Sequence, residues 1–448
     1  MKTSYYFAVS LASLRLLYCL TVFFLPVVAW ADDPAPPYSL EECYQLALQN
    51  SESLKISEED LSIADAQYRQ AMAALLPNID LLGSQRFRDN ANFGRIMRGS
   101  SFAEDNGGST GGSGGGLGRS QSEITLGLSQ PIFHGFRDYL LLRAAQGDYS
   151  AQELDLSRSR ELLYQDVAAL FYEIQLHLAE VAVYEAGRTT LNARLKELGE
   201  FEKLGKARES ETLASRAELA DLEASREAAQ GQARTSLELM AFLTGISADQ
   251  LSLEGTKLTP ELNPLAQYLE RVQARADLQA AAVRIEAEKQ RSQAISRERW
   301  PGLDLTADAY PFEDPDRTRD WEAGLTLSMP IFDGGMISAR ESEARALVKK
   351  TQLSAQQKRR LAERDVRVSY ADSAAGFAEY KSLQKLVSSA KKNYEVQTRD
   401  YGLGIVTNLD VLQAIRTKQD AERRLELSRY SYLAALTKLE VSAGGVVK

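Results

Sequence analysis

Two stretches decide the reading of this chain: SQPIFHGF at Ser129–Phe136 and SMPIFDGG at Ser328–Gly335. In each, a run alternating apolar and small polar residues meets a proline, an Ile-Phe pair and a glycine, and a long helix-compatible segment follows. The pattern predicts a strand handing over to a helix. Proline lacks the N–H that a central ladder needs, so it ends pairing at a sheet rim, and glycine permits the bend. A chain with this joint in two places reads as a duplication.

The spacing of landmarks makes the duplication quantitative. Pro131 and Pro330 are 199 residues apart, as are Gly205 and Gly404, Glu211 and Asp410, and Gly245 and Gly444. Ahead of the joints the separation is 224, from Leu54 to Leu278, Pro77 to Pro301 and Leu81 to Leu305. The 25 extra residues fall in the polar, glycine-rich stretch Asp89–Gly118, whose core Gly107–Gly118 is read as a mobile loop. One register held across a strand, a bend and two helices implies two structural repeats.

Each repeat reads helix, strand, loop, strand, long helix, turn, helix. Ser39 and Glu42 form a capping box for a first helix running to Ala74, and Pro77 stops it. Strands are expected from Asn78 to about Arg88, around Glu123–Ser129, from Gly302 to Tyr310 and from Trp321 to Met329, each alternating apolar with polar residues. After each joint comes a helix of almost seventy residues, about 100 Å at 1.5 Å per residue. In the first, Leu163, Val167, Leu170, Ile174, His177, Val181 and Tyr184 make a heptad seam. The helix reversals fall at Gly205 and at Gly402 and Gly404.

The N-terminus sets the compartment. An apolar run behind Lys2, interrupted by Arg15, ends at Ala29-Trp30-Ala31, which fits a cleaved signal peptide over 1–31, an uncleaved anchor being the alternative. Cleavage would remove Lys2 and Arg15 and no acid, taking the net charge from -9 to -11 and making nucleic acid an unsuitable partner. It would also leave Cys43 as the single cysteine, so no intrachain disulfide could form. The expected units are then 32–76, a segment and the first helix; 77–133, a strand hairpin; 134–245, the long helix and its returning partner; and 246–264, a linker or small packed patch. The second repeat follows as helix 265–300, hairpin 301–332 and the long helix with its returning partner over 333–448.

Four strands of the length of a tilted transmembrane β-strand, roughly 9 to 11 residues, cannot close. An open edge is untenable in hydrocarbon, so other protomers must complete a barrel. Two protomers give eight strands with a filled interior, and three give twelve with a lumen. The helix after each reversal is half the length of its partner, so the helix preceding each hairpin is expected to cover the other half. A hollow cylinder and a solid coiled coil both satisfy that arrangement.

The LPNIDL and WPGLDL entries at Leu76 and Trp300, the two PIF-containing exits and the reversal YGLGIVTNLDVLQA at Tyr401–Ala414 resemble those of the TolC-type outer membrane efflux protein family, over essentially the whole mature chain. The resemblance implies an α+β membrane protein: a homotrimer with a 12-stranded barrel in outer-membrane lipid and a tunnel of antiparallel coiled-coil helices crossing the periplasm of a Gram-negative bacterium. It implies docking to a periplasmic adaptor and an inner-membrane transporter, and passive export of drugs, toxic compounds or secreted polypeptides. A periplasmic coiled-coil scaffold without a pore is the rival reading.

The resemblance also places Tyr401, Asp410 and Glu211 at the periplasmic constriction, while Val406 and Gln413 stand where the family prototype has an arginine and a second aspartate. Carboxylate rings at Asp410 and Glu211 would select cations, but both acids also sit in a first helical turn, where the macrodipole favours them. Tyr401 either bridges neighbouring helices through its hydroxyl or packs there. Pro77, Pro131, Pro301 and Pro330 are expected at the junction of barrel and tunnel. Two histidines, of which His177 lies in the heptad seam, and one mature cysteine provide no metal or nucleophile spacing, so neither an enzyme nor a cofactor is expected.

Overall fold

The computed structural model describes residues 37–87, 120–256, 262–312 and 320–445. The expected signal peptide and the loop Gly107–Gly118 lie outside the described residues. The elements run α1 (Leu40–Asn50), α2 (Glu52–Ala73), β1 (Asn78–Phe87), β2 (Ser120–His134), α3 (Arg137–Lys203), α4 (Glu209–Thr244), α5 (Leu265–Arg271), α6 (Ala276–Ser296), β3 (Gly302–Phe312), β4 (Trp321–Ser328), α7 (Met336–Gly402) and α8 (Asn408–Ser442). Both long helices, α3 and α7, have 67 residues.

The four strands form one antiparallel sheet in the order β1-β2-β3-β4. Its register places Ile79 opposite Leu128, Leu81 opposite Leu126, Leu305 opposite Leu325 and Leu303 opposite Leu327. Directly paired residues share a face, so one face is apolar, and Ile79, Leu81, Leu325, Leu327 and Trp321 on it are each more than 60% exposed. The opposite face carries Asp80, Gly127, Asp308, Glu322 and Thr326.

The two joints differ from their expected form in one respect. β4 ends at Ser328, two residues before Pro330, as a proline-terminated strand should. β2 instead runs through Pro131 to His134, pairing Pro131 with Asp304 across a bulge that lies before Phe133. β1 reaches only to Ser129, so the proline sits at a bulge on a stretch flanked by β3 alone, where a missing N–H is tolerated. Pro77 and Pro301 immediately precede β1 and β3.

Two expected single helices are broken. Ser51 ends α1 and caps α2, accepting from the Leu54 N–H at 3.4 Å. A 3-10 turn at Val272–Ala274 separates α5 from α6. Both breaks sit midway along the helical part, where α1 and α5 turn aside to cover it. Cys43, Tyr44 and Ala47 pack there with Val167, Phe171, Ile174, Met240 and Leu433, and Tyr268 and Val272 pack with Ala362, Val366 and Leu439. Cys43 is fully buried, and burial pushes its thiol up to about 11. The segment after α4 joins this core through Leu251 and through a parallel bridge between Tyr38 and Leu253. His177 is part-buried and hydrogen-bonded to Glu180 at 3.1 Å.

The helices form a layer. α3 packs against α2 and α4, and also against α6 and α8, and α7 packs against α6 and α8. Ion pairs locate the halves: Arg284 and Arg291 of α6 meet Asp155 and Asp148 near the sheet end of α3, and Arg423 of α8 meets Glu180 further down. Half-length helices thus succeed one another beside each long one.

Backbone handedness repeats with the sequence. Among the described residues, the left-handed positions are Gly135, Phe136, Gly205, Gly245, Gly334, Gly335, Gly404 and Gly444, four pairs at the 199-residue offset. Phe136, at φ 65°, stands where the second repeat has Gly335. Gly135 is further constrained, because an added Cβ would meet the Trp300 Cβ at 2.7 Å, whereas one at Gly334 meets nothing within 4 Å. Each Gly→Ala change carries the left-handed penalty of about 1–2 kcal/mol. Gly135→Ala should add an overpacking cost of about 1–3 kcal/mol, so its urea midpoint should fall clearly below that of Gly334→Ala; equal midpoints would refute the Trp300 contact.

Candidate functional site at the helix reversals

The two reversals are built alike. α3 ends in a Schellman motif, with Lys206 N–H to the Phe201 carbonyl at 2.8 Å and Gly205 N–H to the Glu202 carbonyl at 2.9 Å. α7 ends in the same motif, with Ile405 N–H to the Asp400 carbonyl and Gly404 N–H to the Tyr401 carbonyl, both at 2.9 Å. Gly402 is the last residue of α7. In each repeat an acid then occupies the third position of the next helix, Glu211 in α4 and Asp410 in α8.

The residue that caps each helix separates the two acids. Thr407 and Asp410 form a capping box, the carboxylate accepting from the Thr407 hydroxyl at 2.6 Å and its N–H at 2.8 Å. These bonds, the side-chain one foremost, hold the Asp410 carboxyl below its usual range. At the equivalent cap of α4 stands Arg208, which makes no side-chain cap. An arginine has no acceptor for the helix N–H groups and no hydroxyl for the acid. Glu211 is therefore available elsewhere, and the Tyr401 hydroxyl donates to its Oε2 at 2.7 Å, tying α7 to α4.

Around that bond lies a buried polar cluster that the sequence pattern did not single out. Arg194 of α3, 4% exposed, lies over the Tyr401 ring with its guanidinium carbon 3.8 Å from the centroid. Its Nε and Nη2 donate to Asn408 Oδ1 at 3.0 and 2.9 Å, and Nη1 pairs with Glu197 at 2.7 Å. The Asn408 amide then donates to the Glu211 carbonyl and to Ser215 Oγ, both at 3.1 Å. Leu191, Leu222, Val411, Leu412 and Ile415 pack beneath. A buried guanidinium is tolerable because every element around it provides an acceptor or a ring face. The one sequence signal was the repeat itself: Asn408 stands where the first repeat has Glu209.

Of the sequence-predicted residues, the fold brings Tyr401 and Glu211 into contact. Asp410 lies at its own helix start, and Gln413 lies exposed one turn further along α8. Val406 lies in the α7–α8 turn, half-buried. A second α4–α8 tie is Glu218, 5% exposed, accepting from Arg416 Nε at 2.6 Å. At the opposite end, the ring nitrogens of His134 lie against the carboxylates of Asp138 at 2.5 Å and Asp304 at 3.0 Å, joining β2, α3 and β3. Asp333, its counterpart in the second repeat, instead accepts from the Gly335 and Ile337 N–H groups at 2.9 and 2.7 Å. Among the described residues no group of three or more His, Cys, Asp and Glu is placed to hold a metal ion.

Burial, reinforced by the bond to Glu211, pushes the Tyr401 hydroxyl from its ordinary 10.0 up to about 12. A raised folded-state value means that the protonated form is favoured in the folded chain, so this stabilisation is complete below pH 10 and is lost as pH rises toward 12. Stability measured across that window should decline less steeply in Tyr401→Phe. A profile unchanged by the substitution would count against the bond. Arg208→Thr should create a second capping box that competes for Glu211, lowering the coupling between Tyr401 and Glu211 in a double-mutant cycle from about 1.5–3 kcal/mol toward zero.

A family profile described as outer membrane efflux protein matches residues 43–245 and 269–445, covering both repeats. The chain is 21% identical to outer membrane protein TolC of Escherichia coli K12 over 430 residues, 91% of this chain and 82% of that protein. It is 25% identical to a protein described as probable efflux pump outer membrane protein TtgC of Pseudomonas putida, over 92% of this chain and 83% of that one. Among solved structures, the outer membrane protein VceC of Vibrio cholerae superposes with a TM-score of 0.76 at 21% identity, covering 91% of this chain and 97% of that chain.

Proposed function

The chain belongs to the outer membrane efflux protein family, and on that premise we propose that it works as a trimeric, passive export duct. Three copies contribute twelve strands to one outer-membrane barrel, and their helices form a periplasmic tunnel. A periplasmic adaptor and an inner-membrane transporter deliver the substrate, and no catalytic chemistry is required of this chain. Small toxic compounds are the favoured cargo, on the antibiotic efflux role printed for a Pseudomonas putida relative that matches over 83% of its length.

One observation carries the reading: the sheet and the helix layer have the same order and are both open at the same ends. β1 follows α2, β2 leads into α3, α6 leads into β3 and β4 leads toward α7, so the strand order reproduces the helix order. β1 and β4 are edge strands, and the flanks of the helix layer carry exposed Leu213, Leu239 and Phe242 on α4 and Leu347, Leu353 and Leu386 on α7. A cyclic assembly joins the α7 and β4 side of one copy to the α2, α4 and β1 side of the next, satisfying both layers with one operation. The apolar sheet face then meets lipid and the polar face lines the lumen. Trp321, beside the loop end of β4, lies at the height of an interfacial aromatic belt.

Within this reading the reversals form the periplasmic entrance. The Tyr401–Glu211 and Arg194–Asn408 bonds hold the α7–α8 pair against the α3–α4 pair, keeping the entrance narrow. Two measurements check the proposal. A tag inserted within Gly107–Gly118 should be labelled on intact cells; labelling only after outer-membrane permeabilisation would invert the topology. In planar bilayers the purified trimer should show a small single-channel conductance that rises several-fold when Tyr401→Phe and Arg194→Ala are combined. An unchanged conductance would remove these residues from the entrance.

A further inference from the structure

Midway along the helical part, where α8 ends and α6 begins, the succession of half-length helices leaves a recess of about 370 Å³ between α3 and α7. Its walls include Ser369, Arg158 and Arg275, each more than nine-tenths buried, and Arg364, Asp365 and Lys438 closer to solvent.

The donors around it are unevenly satisfied. Arg275 uses Nε and Nη2 on Asp277 and Nη1 on the Ser442 carbonyl, each at 3.0 Å. Arg364 pairs with Asp365 at 2.5 Å. Both hydrogen bonds of Arg158, to Glu161 at 2.6 Å and to the Val441 carbonyl at 2.8 Å, leave from Nη1, so Nε and Nη2 remain for another acceptor. Lys438 makes no ion pair among the described residues. Ser369 Oγ is buried without a hydrogen-bond partner, although Ser373, one turn on, returns its hydroxyl to the Ser369 carbonyl at 2.8 Å. Buried polar atoms are nearly always paired, so an orphaned hydroxyl beside free guanidinium and ammonium donors marks a missing acceptor. The four cations outnumber Glu161, Asp277 and Asp365 by one, which suits a single small anion.

We propose that this recess binds one small oxyanion per protomer, of the phosphate or carboxylate class, that accepts from Arg158, Ser369 and Lys438. The anion would fasten the end of α8 to α3 and α7 at the level where neither half-length helix fills the wall. It concerns the middle of the helical layer, independently of the entrance.

Isothermal titration of the detergent-solubilised full-length protein with inorganic phosphate and, separately, with acetate at constant ionic strength tests the site. Saturable binding of either at one site per protomer is expected. Lys438→Met and Ser369→Ala should each weaken it at least tenfold, whereas Lys350→Met, an exposed lysine elsewhere on α7, should not. Ser369→Ala removes only an unpaired hydroxyl, so the fold survives it. Binding of phosphate alone assigns the phosphate class, and binding of acetate assigns the carboxylate class. The absence of saturable heat with both, or equal affinity in wild type and both site variants, overturns the proposal.

Discussion

The outer edges of β1 and β4 present backbone N–H and C=O groups that no other strand among the described residues pairs with, and in hydrocarbon such groups have no water to turn to. This unmet demand orders the remainder of the molecule. A sheet open at both edges does not curl back on a private core, and its apolar face stays exposed. The helices inherit the strand order because each strand is joined to a helix through a short fixed joint. The helical layer is consequently one helix deep, and its cores are local clusters at the middle and at the reversals rather than one interior.

The duplication explains where those clusters fall, and its imperfections explain where specificity arises. Both repeats keep the same left-handed pairs, the same 67-residue helix and the same Schellman reversal. They part at single residues. Thr407 engages Asp410, while Arg208 leaves Glu211 free to accept from Tyr401. His134 bridges two carboxylates where Asp333 caps its own helix. Asn408 stands where the first repeat has Glu209, and its amide can accept from buried Arg194 while donating to α4. A symmetric frame with asymmetric polar links lets one reversal be held against the other.

Much was legible in the chain itself, for a local reason. Strand alternation, proline and glycine punctuation, helix length and the constant offset all depend on residues within a few positions of one another, or on comparison of the two halves. These features determined the duplicated architecture, the four strands, the two long helices and the acids at the starts of α4 and α8. The capping box of Thr407 with Asp410 belongs to the same class, since it spans three residues.

Only the tertiary structure decided the rest. That β2 pairs through Pro131 rather than stopping there depends on β1 beginning only at Asn78, opposite Ser129, which leaves room for a bulge. That Ser51 and Val272 break their helices depends on the core that α1 and α5 cover. Tyr401 meets Glu211 across 190 positions and Arg194 meets Asn408 across 214, and no periodicity encodes a contact at that distance. Such pairs exist because long helices, packed side by side, bring their far ends together. The identity of each partner is then set by which side chain its own helix cap leaves free.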